Sequence, residues 1–254
     1  MLHFKRGVLP VYKTVLRQEL NTWREELLTT VAVPLTFFLA FGLGLRGYIH
    51  DIDGVSYMTF LAPGLITLTM LFEAYRNGGW GMWLDRWLQK MIDEYRIKPV
   101  TTSDIIVGKI LGGFTEAIIK GAVVALVLKL IAPISFAPIN ILPYLLYMLP
   151  GSVLFTCMGA MVGTVCAKPD QIAQVQTVVI TPLLYLGGMF FPIRVLPPWL
   201  LPIIHWLPTT ALFEGGRWAL LKGQIQGFDI ALLWGAAILC FGFTVRLFND
   251  KLSE

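Results

Sequence analysis

Glu116 and Lys120 stand four residues apart in an otherwise apolar run from about Ile105 to Ile131, a spacing that places both on one face of a helix. A charge inside hydrocarbon is costly, so such residues either face a pathway or pair with each other. Two chemistries fit: the polar lining of a path or gate, and an ion pair that neutralises itself. Glu73, near the end of the preceding apolar run, is either a packing partner for a basic residue or a gate residue, with the partner role preferred. Trp80, Trp83 and Trp87 follow it. Tryptophans near a span end anchor it at the membrane interface; contact with a lipid or sugar at an entrance is the alternative.

Those residues need elements that cross a bilayer. Of the 254 residues 56% are hydrophobic and only 14% charged, and the mean hydropathy is +0.69. A soluble domain of this length needs far more polar surface. Repeated apolar runs of about twenty residues place the chain among polytopic membrane proteins. The pattern predicts one all-α membrane domain over 1–254 with six transmembrane helices, at about 27–45, 57–75, 105–131, 141–166, 172–191 and 230–247. Before the first span, Leu9, Tyr12, Leu16, Leu20 and Trp23 recur at helical spacing among Lys13, Arg17 and Arg24, which predicts an amphipathic interfacial helix over 4–26. This charged start does not read as a cleaved signal peptide. Pro143 and Pro150 are expected to kink span four. Residues 193–222 are apolar but interrupted by proline, and each half is too short to cross, so they read as re-entrant or interfacial helices on the outer side.

Orientation follows from counting Lys and Arg. With the N-terminus inside, thirteen fall on the inner side, four (Arg46, Arg194, Arg217 and Lys222) on the outer side and three within span three. That asymmetry puts both termini in the cytoplasm. Lys109 and Lys129, near the two ends of span three, are expected to snorkel to the interfaces.

The same count makes "LDRWLQKMIDEYRIKPVTTSDIIVGK" (84–109) cytoplasmic, and nine of its twenty-six residues are charged. Leu84, Trp87, Leu88, Met91, Ile92 and Tyr95 form a continuous helical stripe, with Arg86, Lys90, Asp93 and Glu94 on the other side. Pro99 ends this helix, and Thr101, Thr102 or Ser103 can cap the next. A helix floating on headgroups would favour a lysine-rich polar face. The mixed signs here suit a docking element for a soluble protein better.

With these elements in place the chain resembles the permease subunit of a type-2 ABC exporter, in the flavour of the subgroup that includes nodulation-factor exporters. The resemblance covers nearly the whole length. It is carried by the amphipathic N-terminal helix, "FLAPGL" opening span two, "MIDEYRIKPVTTSDIIVGKILGG", and "PLLYLGGMFFPIRVLPPWL" followed by "LPTTALFEGGRWALLKG". Where the family usually has a polar or basic residue shortly after the final proline, Pro208 is followed by Thr209, Thr210 and Ala211, and Arg217 supplies the later basic position. The resemblance implies that residues 84–99 are a coupling helix seated in a cleft of a nucleotide-binding subunit, through Trp87, Met91, Asp93, Glu94, Tyr95, Arg96 and Pro99. It implies two permease copies with two ATPase copies, ATP and Mg being bound by the ATPase subunit and no cofactor by this chain. Gly187, Gly188 and Pro192 mark where span five breaks towards the re-entrant element, in which Pro208 and Arg217 also fall.

Other features set bounds. No G-x-x-x-x-G-K-[ST] occurs, so energy from ATP must come through a partner. The basic residues form no stripe on a soluble face, which argues against nucleic acid. Gly108-x-x-x-Gly112 and Gly159-x-x-x-Gly163 permit close helix packing, within the chain or across a dimer. Cys157, Cys166 and Cys240 lack metal-like spacing and read as packing residues. His3, His50 and His205 are dispersed, which disfavours an intramembrane enzyme. No filter-like segment supports an ion channel. The wide apolar surface and aromatic rims suit an amphipathic cargo: a lipid, a lipid-linked saccharide or a hydrophobic drug.

Overall fold

The first apolar run has no break at its polar end. In the computed structural model, which describes residues 2–45, 48–49, 51–88, 101–132, 134 and 136–253, helix α1 (Leu2–Phe37) continues directly into π-helical Phe38–Leu43. The interfacial helix expected over 4–26 and the span expected over 27–45 are therefore one continuous helix. The junction "WREELLTTV" (23–31) contains no glycine or proline to end a turn, and Pro10 and Pro34 are carried inside the helix.

Helix α2 (Tyr57–Trp83) starts at Ser56, whose hydroxyl accepts the Thr59 N–H. It runs on as a π-helical segment, Leu84–Leu88, well beyond the expected end at 75. Arg76 thus lies inside a helix rather than in a cytoplasmic loop. Helix α3 (Thr102–Ile131) opens on a capping box: Thr101 Oγ1 accepts the Asp104 N–H at 3.2 Å, and Asp104 Oδ2 accepts the Thr101 N–H at 3.0 Å. Helix α4 (Ile141–Val165) passes Pro150 without interruption.

After a break at 166–168, α5 (Pro169–Val175), π-helical Gln176–Ile180 and α6 (Thr181–Leu186) join end to end. Gly187 ends the run, and Gly188 holds φ at +90°, which costs glycine little. Short pieces follow: a 3₁₀ turn (Ile193–Val195), α7 (Leu201–His205), α8 (Pro208–Thr210), π-helical Ala211–Gly215 and α9 (Gly216–Lys222). Helix α10 (Gly227–Ser253) closes the bundle. Among the described residues the only strand-like pairing is the isolated Ile52–Val55 bridge.

Among the described residues, four helices are long and apolar enough to cross a membrane: Gly7–Leu43, Tyr57–Trp87, Pro138–Val165 and Gly227–Lys251. Helix α2 is the centre of the packing. Its apolar window is 83% buried, against 22% for α1 and 17% for α10, which leaves the outer two helices facing lipid or a partner. Helix α3, of 30 residues, is long enough to cross as well. It lies parallel to α1 (Val11 by Gly108, Val15 by Gly112) and antiparallel to α2 (Asp85 by Lys109, Met70 by Gly121).

Both glycine pairs pack within the chain. A Cβ on Gly108 would come within 2.7 Å of Val11, and one on Gly112 within 2.5 Å of Val15. Cβ atoms on Gly159 and Gly163 would strike the Tyr75 and Gly79 carbonyl oxygens of α2, and one on Gly78 the Thr156 carbonyl of α4. Small residues here let backbones touch, which is how helices without a hydrophobic drive hold together in lipid.

The two ends of the bundle are distinct. At one end lie Gly7 beside Asp104, Thr102 bonded to Asn249, and Trp83 Nε1 donating to the Ala167 carbonyl. At the other, Lys222 reaches the Asp53 carbonyl, Arg194 pairs with Asp53 at 2.7 Å, and Tyr57 Oη donates to the Phe190 carbonyl. The start of α1 and the end of α10 share an end; the 51–56 loop and residues 190–222 share the opposite one.

Candidate functional site

Three helices each place acidic or basic side chains on one inward face. On α1 these are Glu19 and Glu26, seven apart, with Thr30 a turn further; on α2, Glu73, Arg76 and Asn77; on α3, Glu116 and Lys120. They meet in one network. Lys120 Nζ lies 2.6 Å from Glu116 Oε1, 2.6 Å from Glu26 Oε2, 3.1 Å from Glu73 Oε2 and 3.2 Å from Glu19 Oε2. Arg76 Nη2 binds the same four carboxylates, at 2.6 Å to Glu116, 2.5 Å to Glu26, 2.9 Å to Glu73 and 3.3 Å to Glu19. Asn77 Nδ2 donates to the second Glu116 oxygen at 3.0 Å, and Thr30 donates to Glu73 at 3.5 Å.

The side chain of Glu116 is 2% exposed, that of Lys120 10% and that of Glu73 12%. By helical rise Glu116 lies about 21 Å along α3 from its start. Charges at such depth persist only when paired, and here each cation is shared among four carboxylates. Glu19, Glu26 and Glu116 bring carboxylate oxygens within 4.8 Å of one another. The ammonium of Lys120 and the guanidinium of Arg76 already sit on those oxygens, in the place a bound cation would take. The arrangement is an electrostatic clasp joining three helices.

Two cavities flank the clasp, and Glu19 lines both. A groove of about 210 Å³ between α1 and α3 is lined mainly by apolar side chains such as Leu20, Trp23 and Ile119, with Glu116 and Lys120 at its floor. A cleft of about 360 Å³ between α1 and α2 is lined by polar residues including Glu26, Arg76 and Asn77, and reaches Trp80 and Leu84. Trp80 and Trp87 are exposed, as interface anchors would be, and the Arg86 guanidinium lies over the Trp87 ring at 5.2 Å.

Sequence reasoning singled out Glu73, Glu116 and Lys120, left an i,i+4 ion pair and a pathway lining both open for the last two, and preferred for Glu73 a basic partner that it did not name; the structure brings the three together in ion pairs. It missed Glu19, Glu26, Arg76 and Asn77. The available signal was the Glu73/Arg76/Asn77 spacing, which repeats the i, i+3, i+4 rule that exposed the pair on α3. The expected snorkelling of Lys109 is overturned: it is 2% exposed and pairs with Asp85 at 2.8 Å. Its ammonium is turned onto α2, where it meets Asp85 and lies 3.1 Å from where a Cβ on Gly81 would stand. Lys129, in the last turn of α3, is exposed as expected.

The re-entrant candidates converge. Arg217 has no exposed surface; its Nη2 donates to the Gly188 and Met189 carbonyls at 2.7 and 3.0 Å, its Nε donates to the Phe60 carbonyl at 3.0 Å, and its guanidinium lies 3.7 Å from the Phe60 ring centroid. Gly187 packs against Thr209, next to Pro208, so a Cβ there would fall 3.0 Å from the Thr209 Cβ. Pro192 is buried and opens the 3₁₀ turn, whose first N–H, on Ile193, donates to Glu214 Oε1 at 3.2 Å. One buried arginine thus fastens the glycine break to the start of α2. Of the coupling candidates, Trp87 is on the helical extension of α2, whereas Met91, Asp93, Glu94, Tyr95, Arg96 and Pro99 lie outside the described residues.

Residues 11–221 match the family model described as ABC-2 type transporter. The chain is 30% identical over 205 residues to the inner membrane transport permease YadH of Escherichia coli (strain K12), which covers 80% of this chain and 78% of that protein. It is 25% identical over 252 residues to Nodulation protein J of Neorhizobium galegae, covering 94% and 93% respectively. Nodulation protein J of Azorhizobium caulinodans is 26% identical over 192 residues, 74% of each chain.

Proposed function

This chain belongs to the ABC-2 type transporter family, and on that premise we propose that it is the membrane-spanning subunit of an ATP-driven exporter for an amphipathic substrate. The family normally pairs such a permease with an ATPase subunit. Two copies of this chain would assemble with two ATPases, which bind ATP and Mg, and Trp87, Met91, Asp93, Glu94, Tyr95, Arg96 and Pro99 of the segment 84–99 would form the contact through which they act, with Asp85 buried behind them. The relatives named as a permease support transport over an intramembrane enzyme or a channel.

The observation that carries the proposal is the match over 11–221, joined to the charged sequence 84–99, whose described flanks lie at the end shared by both termini. Six crossings are proposed: α1, α2, α3, α4, the run 169–186 and α10. Residues 193–222 form the re-entrant outer element, and both termini face the cytoplasm of a bacterial or archaeal inner membrane. The clasp and its flanking cavities supply a polar path or gate within reach of an apolar groove, which suits a lipid, a lipid-linked saccharide or a hydrophobic drug. The test is co-purification of the permease with the ATPase encoded beside it, with Glu94 and Arg96 each reversed in charge. Binding that the reversals weaken supports the proposal; no binding by the unmodified chain rejects it.

A further inference from the structure

The described end of α2, Leu84–Leu88, and the start of α3 at Thr101–Thr102 run antiparallel side by side, and together they form the neck from which the charged sequence between them is attached. A buried ion pair closes that neck. Lys109 Nζ lies 2.8 Å from Asp85 Oδ2, with side chains 2% and 5% exposed, and among the described residues no other ionic partner is found for either. Lys109 is eight residues past Thr101, about 12 Å along the helix, so the pair lies inside the bundle and not at its surface. Two further bonds hold the same short stretch. The Arg86 guanidinium donates to the Thr164 carbonyl, and Trp83 Nε1 donates to the Ala167 carbonyl at 3.1 Å. Residues 83–86 are therefore tied at once to α3 and to the break between α4 and α5.

Stability alone gives no reason for the pair, since a buried ion pair commonly holds a fold no better than apolar residues of the same volume. What it does supply is a fixed register. Sliding α2 past α3 at this level would leave two uncompensated charges, whereas apolar surfaces could slip. The π-helical turn Leu84–Leu88, a form often found at functional sites, puts Asp85 at that contact.

We infer that the Asp85–Lys109 pair is the joint that locks the end of α2 to α3, so that a load applied at that end moves both helices, making both positioning residues for transport. This rests on the proposed transporter function. A push at that end reaches α2 and α3 as one body, and through Arg86 and Trp83 it reaches the end of α4 and the break that follows it.

The test uses the full permease with its neighbouring ATPase in lipid nanodiscs, Cys157, Cys166 and Cys240 replaced by alanine, and a bimane fluorophore on Leu126→Cys, an exposed site on α3. ATPase binding, ATP hydrolysis and the nucleotide-dependent change in bimane emission are measured together. Asp85→Asn is expected to keep binding and hydrolysis while losing the emission change, and the exchange of Asp85→Lys with Lys109→Asp to restore it. An emission change in Asp85→Asn as large as in the parent overturns the inference, as does a folded exchange variant that restores nothing. If Asp85→Asn does not fold, Asp85→Leu with Lys109→Leu removes both charges at once, and an unchanged signal there overturns it equally. Failure of the unmodified chain to bind the ATPase overturns the transporter assignment and this inference with it, and shows before any variant is made.

Discussion

Replacing Lys120 by methionine removes one of the two cations that hold Glu19, Glu26, Glu73 and Glu116 together. Methionine keeps the volume of the stem, so packing is little disturbed and the loss is electrostatic. Arg76 is left against four carboxylates, one of them Glu116, whose side chain is 2% exposed. Breaking a buried pair by removing one partner costs about 3–5 kcal/mol, because the remaining charge stays uncompensated. For a chain of this size about 1 kcal/mol moves Tm by roughly 2–4 °C, so the variant should melt on the order of 6–20 °C below the parent. The assay is the fraction of detergent-solubilised protein that stays monodisperse after heating, measured with and without the second change Glu116→Gln. The double variant removes both members of the i,i+4 pair and should recover most of the loss. If Lys120→Met lies within about 1 kcal/mol of the parent, the charges behave as an exposed surface pair and the buried-clasp account is refuted.

Three more outcomes follow from other contacts. Gly159→Leu should prevent folding, since its side chain would enter the Tyr75 backbone, whereas Gly235→Ala, with nothing within 4 Å of an added Cβ, should be neutral or add up to about 1 kcal/mol of helix stability; yield and melting of the two proteins decide it. Arg217→Lys should lower stability by about 2 kcal/mol or more, because an ammonium cannot span the Phe60, Gly188 and Met189 carbonyls and stack on Phe60; melting equal to the parent contradicts this. In a variant lacking the native cysteines, Tyr48→Cys should react with a membrane-impermeant thiol reagent added to intact cells, and Lys168→Cys only after the membrane is opened. The reverse pattern rejects the proposed orientation.

What could be read from the residues was what local pattern encodes. The Thr101-Thr102-Ser103 run announces the start of α3 by its side-chain types, with the structure selecting Thr101, and Gly187-Gly188 announces the end of the helical run 169–186. Glu116 and Lys120 reveal that they share one helix face because a helix fixes the distance between i and i+4, a spacing that fits an ion pair and a pathway lining alike. The remainder depends on which helices become neighbours. Nothing local to Lys109 names Asp85 as its partner, twenty-four positions earlier, and a lone lysine near a span end ordinarily snorkels. Glu19 and Glu26 sit among Lys13, Arg17 and Arg24 in a pattern that fits a surface helix. Only the parallel packing of α1 on Gly108 and Gly112 turns those two carboxylates inward. The glycine pairs show the same division: their spacing declares close approach, but not to which helix.

The two glycine seams also divide the bundle mechanically. Where Gly78, Gly159 and Gly163 bring α2 and α4 into backbone contact, and where Gly108 and Gly112 seat α1 on α3, the interlock leaves no slack for small displacements. Helix α10 is built otherwise. Gly235 and Gly242 face open space, and of its contacts with α4 the polar ones are side chains on carbonyls, Cys240 to Leu154 and Thr244 to Cys157. Backbone contact thus joins α1 to α3 and α2 to α4, whereas α10 is seated on the bundle through side chains such as Leu233, Ala237 and Phe248, so a substitution along α10 can be taken up by neighbouring rotamers where one in a glycine seam must move a whole helix.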